Sequence, residues 1–377
     1  MKVSCSTCHY QHVPKLNAFG RDFQLGGYTD VSEDLKNAAI STLLLSRASL
    51  IPKARYIAIQ EAKTGGVVKN SDPDGVDISE ESALWLGGRV VENLGFIVGF
   101  RDAGASGKMV LTMKTGSARL GLSIYSTDSL SPAFGMDIFN SGVTRLSSPL
   151  ENRNETVIAQ QTGVGTGAAT GLTAYISHKI FFGSVGLWSP EKAQDTSLGS
   201  GVTDMAFWFR FAVMPKFSDV DLMIGIFGSS GDAKCAKCIG ASNNDVDHMA
   251  QADSFGVDVQ LQTNIGGMTL ETQLMYVSAG SDEPLDPNVS NLYKKADGVS
   301  AIAELGLSKT YGVSLAYRSY TDKSGYSDVY ETATTIGGWI NLAENIHIQP
   351  QYTLFGGDKD KVGGKDAKFT LLLLAGF

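Results

Sequence analysis

Residues 255–278 read FGVDVQLQTNIGGMTLETQLMYVS, a stretch that predicts two antiparallel β-strands joined by a tight turn. Apolar and polar residues alternate on both sides of the turn, and a period of two places them on opposite faces of a strand. The glycines of Asn264–Gly267 supply the backbone freedom that a hairpin turn needs. One face carries Val257, Val259, Leu261, Leu270, Thr272, Leu274 and Tyr276, and the other carries Asp258, Gln260, Gln262, Glu271, Gln273 and Met275.

The same alternation recurs along most of the chain. Both possible strand totals, eighteen or sixteen, are even, as in single-chain bacterial barrels. The pair 132–142 and 154–162 is the weakest, and without it sixteen strands remain. The candidate strands are 53–62, 83–91, 95–102, 108–115, 119–126, 132–142, 154–162, 168–177, 179–188, 202–214, 218–228, 254–264, 266–278, 297–308, 310–321, 327–340, 343–355 and 367–377.

Composition favours a membrane barrel over a soluble sandwich. The chain has 377 residues, of which 43 are glycine and 10 are proline; 43% are hydrophobic and only 19% are charged. Side chains that face lipid and water alternately give this balance. No apolar run approaches the roughly 18 residues of a transmembrane helix. The net charge of -8 argues against a nucleic-acid partner.

The connections and the C-terminus agree with a barrel. Short turns are predicted at one end (92–94, 116–118, 215–217, 264–267, 308–311 and 341–344), and long polar loops at the other (63–82, 189–201, 229–253, 279–296 and 356–366). The last strand places Phe369, Leu371, Leu373, Ala375 and Phe377 on one face, and a terminal phenylalanine resembles the sorting signal of outer-membrane barrels. We therefore predict an all-β transmembrane antiparallel barrel of about 16 strands, with 18 possible.

Residues 5–9 read CSTCH and predict covalent attachment of one c-type haem. Cys5 and Cys8 are spaced to form thioethers with the porphyrin, and His9 follows as the proximal iron ligand. The alternative is a disulfide beside an uninvolved histidine. Covalent haem is attached outside the cytoplasm, so the motif also predicts export.

The run from CSTCH through PKLNAFGRDFQLGGYT (residues 14–29) resembles the N-terminal segment of the monohaem fused cytochrome-porins, the outer-membrane iron oxidases of Fe(II)-oxidising bacteria. The resemblance implies a haem-binding plug over residues 1–40 and a porin-like barrel over 41–377. We expect Phe19, Arg21 and Phe23 to lie around the haem; simple packing of the plug is the alternative. Beyond this segment only the barrel pattern is shared, so iron specificity is an expectation from the resemblance.

The sequence does not decide which residue is the sixth iron ligand. No methionine occurs between Met1 and Met109, so a separate cytochrome domain with its own methionine ligand is not encoded. His12 follows His9 too closely to reach the opposite face of the ring. The alternation directs Met223, Met275 and His347 inward, which makes them the distal candidates beside an open sixth position.

Three further groups have competing interpretations. Cys235 and Cys238 are predicted to form a loop disulfide, with a metal site that includes Asp245, Asp247 and His248 as the alternative. Inward Arg101, Arg210 and Arg318 suit either haem propionates or a polar interior. The acidic loop residues suit either recruitment of Fe(II) or solubility; they are Asp72, Asp74, Asp77, Glu80, Glu81, Asp282, Glu283 and Asp286.

Together these features predict an electron conduit in the outer membrane, with the haem segment and both termini on the periplasmic side or inside the barrel. By resemblance the protein is an Fe(II):cytochrome c oxidoreductase. It takes electrons from Fe(II) or another extracellular donor and passes them to a periplasmic cytochrome c or small copper protein. The alternatives are a porin or solute channel with a regulatory haem, and the same conduit running outward.

Overall fold

A computed structural model of the chain describes residues 5–30, 47–61, 75–78, 81–101, 104–190, 204–234, 249–282, 289–358 and 364–376. The helices are α1 Ala18–Leu25, α2 Arg153–Thr156 and α3 Ile158–Gln161, with 3-10 turns at Cys5–Thr7, Pro132–Phe134 and Arg145–Ser147. The strands are β1 Ala48–Ile51, β2 Lys53–Glu61, β3 Gly75–Ile78, β4 Ala83–Val91, β5 Leu94–Arg101, β6 Gly104–Thr115, β7 Ala118–Thr127, β8 Ala169–His178, β9 Phe181–Ser189, β10 Ala206–Val213, β11 Lys216–Phe217, β12 Val220–Ser230, β13 Asp232–Lys234, β14 Met249–Gln251, β15 Ser254–Ile265, β16 Met268–Ala279, β17 Val289–Asn291, β18 Ala296–Gly306, β19 Tyr311–Asp322, β20 Val329–Ala343, β21 Ile346–Gly357 and β22 Lys365–Ala375.

Nineteen of these strands form one large antiparallel sheet, as predicted. Three pairs of consecutive strands, β1 with β2, β3 with β4 and β10 with β11, each count as one run, which leaves sixteen runs of strand. The run of β1 and β2 pairs with β4 and β3, and β10 and β11 both pair with β12. From β4 onward each run pairs with the next, and β22 then pairs with β2 through Lys53 and Leu374. Because β2 also pairs with β3, the pairing returns to its start, and we call this arrangement the ring.

The two faces of the strands have opposite polarity. On β19 the side chains of Tyr311, Val313, Leu315 and Tyr317 are 42–55% exposed, whereas Arg318 on the other face is 1% exposed. This confirms the alternation predicted for that hairpin. An exposed apolar face around a polar interior inverts the arrangement of a soluble protein and is typical of barrels that contact lipid.

The predicted strands 132–142 and 154–162 are wrong. Residues 128–168, here called the inner segment, fold into the interior of the ring and contain only short helices and turns. Residues 130–144 are buried almost without interruption, whereas a strand of the ring would expose every second side chain. Pro132 and the absence of strict alternation are the sequence signals for this departure.

The inner segment fills the ring with apolar side chains. Its Leu130, Phe134, Val157 and Val164 belong to one buried cluster with wall residues that include Trp188, Trp208, Phe227 and Tyr320. A small second sheet, built from β13, β14 and β17, belongs to the long connections, and its Ala233 is part of the same cluster. Among the described residues, no helix is long and apolar enough to cross a membrane.

Candidate functional site

The CSTCH motif forms a single helical turn. The backbone N–H groups of Cys8 and His9 both donate to the Cys5 carbonyl, at 3.2 and 2.9 Å. Residues three apart on a helical turn lie on one face, so Cys5 and Cys8 are neighbours. Both thiols are free, and both residues are half-buried. This spacing and accessibility fit two thioether bonds to one porphyrin.

Helix α1 packs directly against this turn. Asn17 caps the helix by accepting a hydrogen bond from the Gly20 N–H at 2.9 Å, and its amide donates to the Thr7 carbonyl at 3.0 Å. A Cβ at Gly20 would lie 2.2 Å from the Cys8 carbonyl oxygen. Only glycine therefore allows the helix to approach the turn this closely.

The His9 side chain is oriented as a metal ligand. Its Nδ1 lies 3.1 Å from the Lys15 carbonyl oxygen and 3.2 Å from the Pro14 carbonyl oxygen. Carbonyls only accept hydrogen bonds, so Nδ1 carries the proton and Nε2 keeps its lone pair. Burial lowers the pKa of His9, which favours the neutral ring that binds metals. The residues of the motif therefore fit a c-type haem.

One half of the N-terminal segment (residues 5–30) is fixed to the inner wall by buried polar contacts. Lys15 Nζ pairs with Glu304 of β18 and lies 3.6 Å from Glu271 of β16. His12 Nε2 lies 3.2 Å from the other Glu304 carboxylate oxygen. Tyr10 donates its hydroxyl to the Thr263 carbonyl at 2.7 Å. These wall residues lie close to the short connections.

The other half reaches the opposite wall. Arg21 pairs with Asp221 of β12. Tyr175 of β8 donates to the Leu25 carbonyl at 2.5 Å. A Cβ at Gly95 of β5 would lie 1.9 Å from the Gly27 carbonyl oxygen, so the segment touches the wall backbone there. The segment thus crosses the ring near its short-turn end.

The residues expected around the haem divide into two groups. Phe19 is 50% exposed and lies next to Gly20, which packs on the CSTCH turn. Phe23 instead packs edge-on against Tyr28 at 5.7 Å, and Arg21 is occupied by Asp221. Phe19 is therefore the one of the three whose ring is open to a ligand beside the motif.

All three distal candidates point inward and are buried. Met223 packs with Phe139 and Met214 beside the N-terminal segment, and Met275 belongs to the apolar cluster of the inner segment. His347 lies near the short-turn end, where its ring is 5.5 Å from the His12 ring.

The predicted inward arginines are paired with carboxylates. Arg101 pairs with Asp128, Arg210 with Asp258, and Arg318 with Glu331. These contacts agree with the polar-interior interpretation. Such pairing balances the charge that each guanidinium brings into the interior.

A larger charged cluster was not foreseen. It joins the inner segment to the wall through Arg145, Glu151 and Arg153 on one side and Lys53, Arg55 and Glu81 on the other. Glu81 was assigned to an external acidic loop, but it accepts a hydrogen bond from Arg153 at 2.7 Å. The missed signal is the density of charged residues at 145–155, which is too high for a lipid-facing strand.

Several expectations lie outside the described residues. These are the Cys235–Cys238 disulfide, its alternative metal site at Asp245, Asp247 and His248, and the loop residues Asp72, Asp74, Glu80, Glu283 and Asp286, together with Phe377. Within the described part of the chain, no group of three or more His, Cys, Asp or Glu side chains is placed to hold a metal ion.

Comparison with known proteins adds to the fold. No family model matches the sequence, and no curated protein matches it. OmpT, an outer-membrane protein of Vibrio cholerae, is similar at a TM-score of 0.53 and 11% identity, over 88% of this chain and 97% of that chain. Its variant lacking loop L8 gives 0.52 and 12% identity, over 88% and 98%. The chain therefore has the fold of an outer-membrane β-barrel protein.

Proposed function

We propose that this protein is an outer-membrane electron-transfer barrel with one covalent c-type haem on its N-terminal segment. The observation that carries the proposal is the His9 ring, whose Nδ1 faces two backbone carbonyls, so that Nε2 is the nitrogen with a lone pair for iron. Cys5 and Cys8 would hold the porphyrin and Phe19 would cover it. When bound, the haem supplies a one-electron ferric/ferrous couple.

The membrane location rests on the outer face of the ring. Its exposed side chains are apolar along successive strands, including Leu274 on β16 and Leu354 on β21. A sixteen-strand barrel with this belt belongs in an outer membrane, with its short turns on the periplasmic side. This orientation puts the CSTCH turn within reach of a periplasmic cytochrome c or copper protein.

The filled interior favours electron transfer over solute passage. The N-terminal segment crosses one end of the ring, and the inner segment packs Leu130, Phe134 and Val157 into the middle. Solute channels keep a water-filled path, whereas electron transfer needs none. Fe(II) is proposed as the external donor from the resemblance in residues 5–29.

The first test is haem attachment. Expressed in a host that matures c-type cytochromes, the protein should carry one haem that resists acidic acetone extraction. Cys5→Ala and Cys8→Ala should each weaken or abolish this attachment, whereas Cys238→Ala is the matched control that keeps it. A wild-type protein without covalent haem would refute the proposal.

The second test separates the conduit from its rivals. In vesicles with known orientation, Fe(II) added on the loop side should reduce the haem while ionic conductance stays at the background level. Open, selective conductance would instead support a channel with a regulatory haem. A strongly negative midpoint potential would support outward electron transfer.

A further inference from the structure

We infer that His347 Nε2 is the second axial ligand of the haem iron bound by His9, an inference that rests on the proposed function. His347 is 4% exposed, and its Nε2 is buried without a hydrogen-bond partner among the described residues. Leaving a buried polar atom unpaired is energetically unfavourable. Coordination to iron would remove this cost, because iron accepts the Nε2 lone pair.

His347 lies at the same corner of the ring as the attachment turn. It pairs with Leu374 of β22, and two residues farther along a Cβ at Gly376 would be 3.9 Å from Cys5 Sγ. Burial and the nearby carboxylate of Glu344, at the β20–β21 turn that precedes His347, both raise the pKa of the Cys5 thiol. The thioether position and the free imidazole nitrogen therefore belong to one local assembly of β21, β22 and the N-terminal segment.

His12, which is closer to the CSTCH motif in sequence, already has hydrogen-bond partners. His12 Nε2 faces Glu304 Oε1 at 3.2 Å, and its Nδ1 faces the Val13 carbonyl at 2.7 Å. Both ring nitrogens of His12 therefore have protein partners. Its ring lies 5.5 Å from both His347 and Trp339, so it packs beside His347 and helps to fix that side chain.

The sulfur atoms of the two methionine candidates already have protein contacts. Met223 lines a small cavity with polar side chains that include Arg21 and Asp221, and its sulfur lies 3.9 Å from an Arg210 guanidinium nitrogen. Met275 packs in the cluster of the inner segment, away from the attachment turn. Both thioethers serve as packing groups there.

The test is spectroscopic and uses the haem-loaded full chain. We expect a low-spin ferric spectrum without the far-red methionine–iron band. His347→Ala should lose the low-spin signal, bind carbon monoxide when reduced, and regain the low-spin signal with added imidazole. His347→Met should instead gain the far-red band and raise the midpoint potential.

Matched controls separate the possible outcomes. His178→Ala, Met223→Leu and Met275→Leu should keep the wild-type spectrum. The inference is overturned by a low-spin spectrum that survives in His347→Ala, by a high-spin wild type, or by a methionine band that Met223→Leu or Met275→Leu removes. A pyridine haemochrome assay distinguishes these results from failure of the proposed function, because that failure leaves no covalent haem at all.

Discussion

At the scale of single residues, the contact between Lys15 and Glu304 connects the CSTCH turn to the wall. The Lys15 side chain is fully buried and the Glu304 side chain is 1% exposed. The carbonyl of Lys15 also accepts the His9 hydrogen bond. The wall therefore helps to set the position of the His9 ring through one residue.

Lys15→Met should release the N-terminal segment, because it leaves two buried carboxylates, Glu304 and Glu271, without their cation. Removing one partner of a buried pair costs about 3–5 kcal/mol. Amide hydrogen exchange around residues 10–17 should therefore accelerate by at least about a hundredfold. Lys295→Met, which removes an exposed pair with Asp282, is the control and should leave that exchange unchanged. Unaltered protection in Lys15→Met would contradict this assignment.

Asp137 of the inner segment should make the stability of the folded protein depend on pH. Burial raises the pKa of this carboxyl to about 6, against the partial compensation of Arg210. The folded state therefore binds the proton more tightly than the unfolded state, so the contribution of Asp137 to stability is full below about pH 4 and is lost as pH rises through about 6.

Asp137→Asn should remove this loss. We expect the thermal midpoint of the variant minus that of wild type to be larger at pH 7.5 than at pH 4.5, with both proteins measured in the same detergent. If this difference instead decreases from pH 4.5 to pH 7.5, Asp137 is charged and well paired in the folded protein.

At the scale of elements, the exposed apolar face of each strand can be tested for contact with lipid. Leu315 lies in the middle of β19 on the apolar face and is 55% exposed. An arginine near the midplane of a lipid-facing strand costs about 2–4 kcal/mol.

Leu315→Arg should therefore lower the unfolding free energy in lipid vesicles by roughly that amount. Tyr326→Arg is the matched control, since Tyr326 is fully exposed in the loop between β19 and β20. Urea titration followed by tryptophan fluorescence measures both. Equal stability of the two variants would place the outer face of β19 in water.

At the scale of the whole molecule, two segments that belong to no strand occupy the interior of the ring. The N-terminal segment contacts β5, β8, β12, β16 and β18, and the inner segment packs against the wall above it. The wall alone encloses an interior lined by polar side chains such as Gln260, Gln349 and Gln351.

Replacing residues 130–167 with a short Gly–Ser turn should therefore open a conducting path. Planar-bilayer recording should show discrete channel openings for this variant and background current for wild type. Deleting residues 5–30 in addition should raise the conductance further. Silent bilayers with the doubly shortened protein, folded as judged by its heat-modifiable migration, would show that other parts of the chain close the ring.

The strands and the attachment motif could be read directly from the sequence. Leu315 and Arg318 reveal opposite faces of β19 because a period of two is a local property that lipid and interior enforce at each strand. CSTCH likewise predicts thioether attachment from local spacing alone. The sequence by itself thus determined a large antiparallel sheet with an apolar outer face, whereas covalent haem attachment stays a prediction from the CSTCH spacing.

Only the tertiary structure decided what fills the ring. Residues 132–142 and 154–162 are apolar enough for strands, but their burial depends on Trp188 and Phe227, which are distant in sequence. Glu81 likewise meets Arg153 only because the inner segment folds back to the wall. His347, Met223 and Met275 all satisfy the same alternation, and only the tertiary structure shows which neighbours each of them has. These contacts are long-range, and a local pattern carries no information about them.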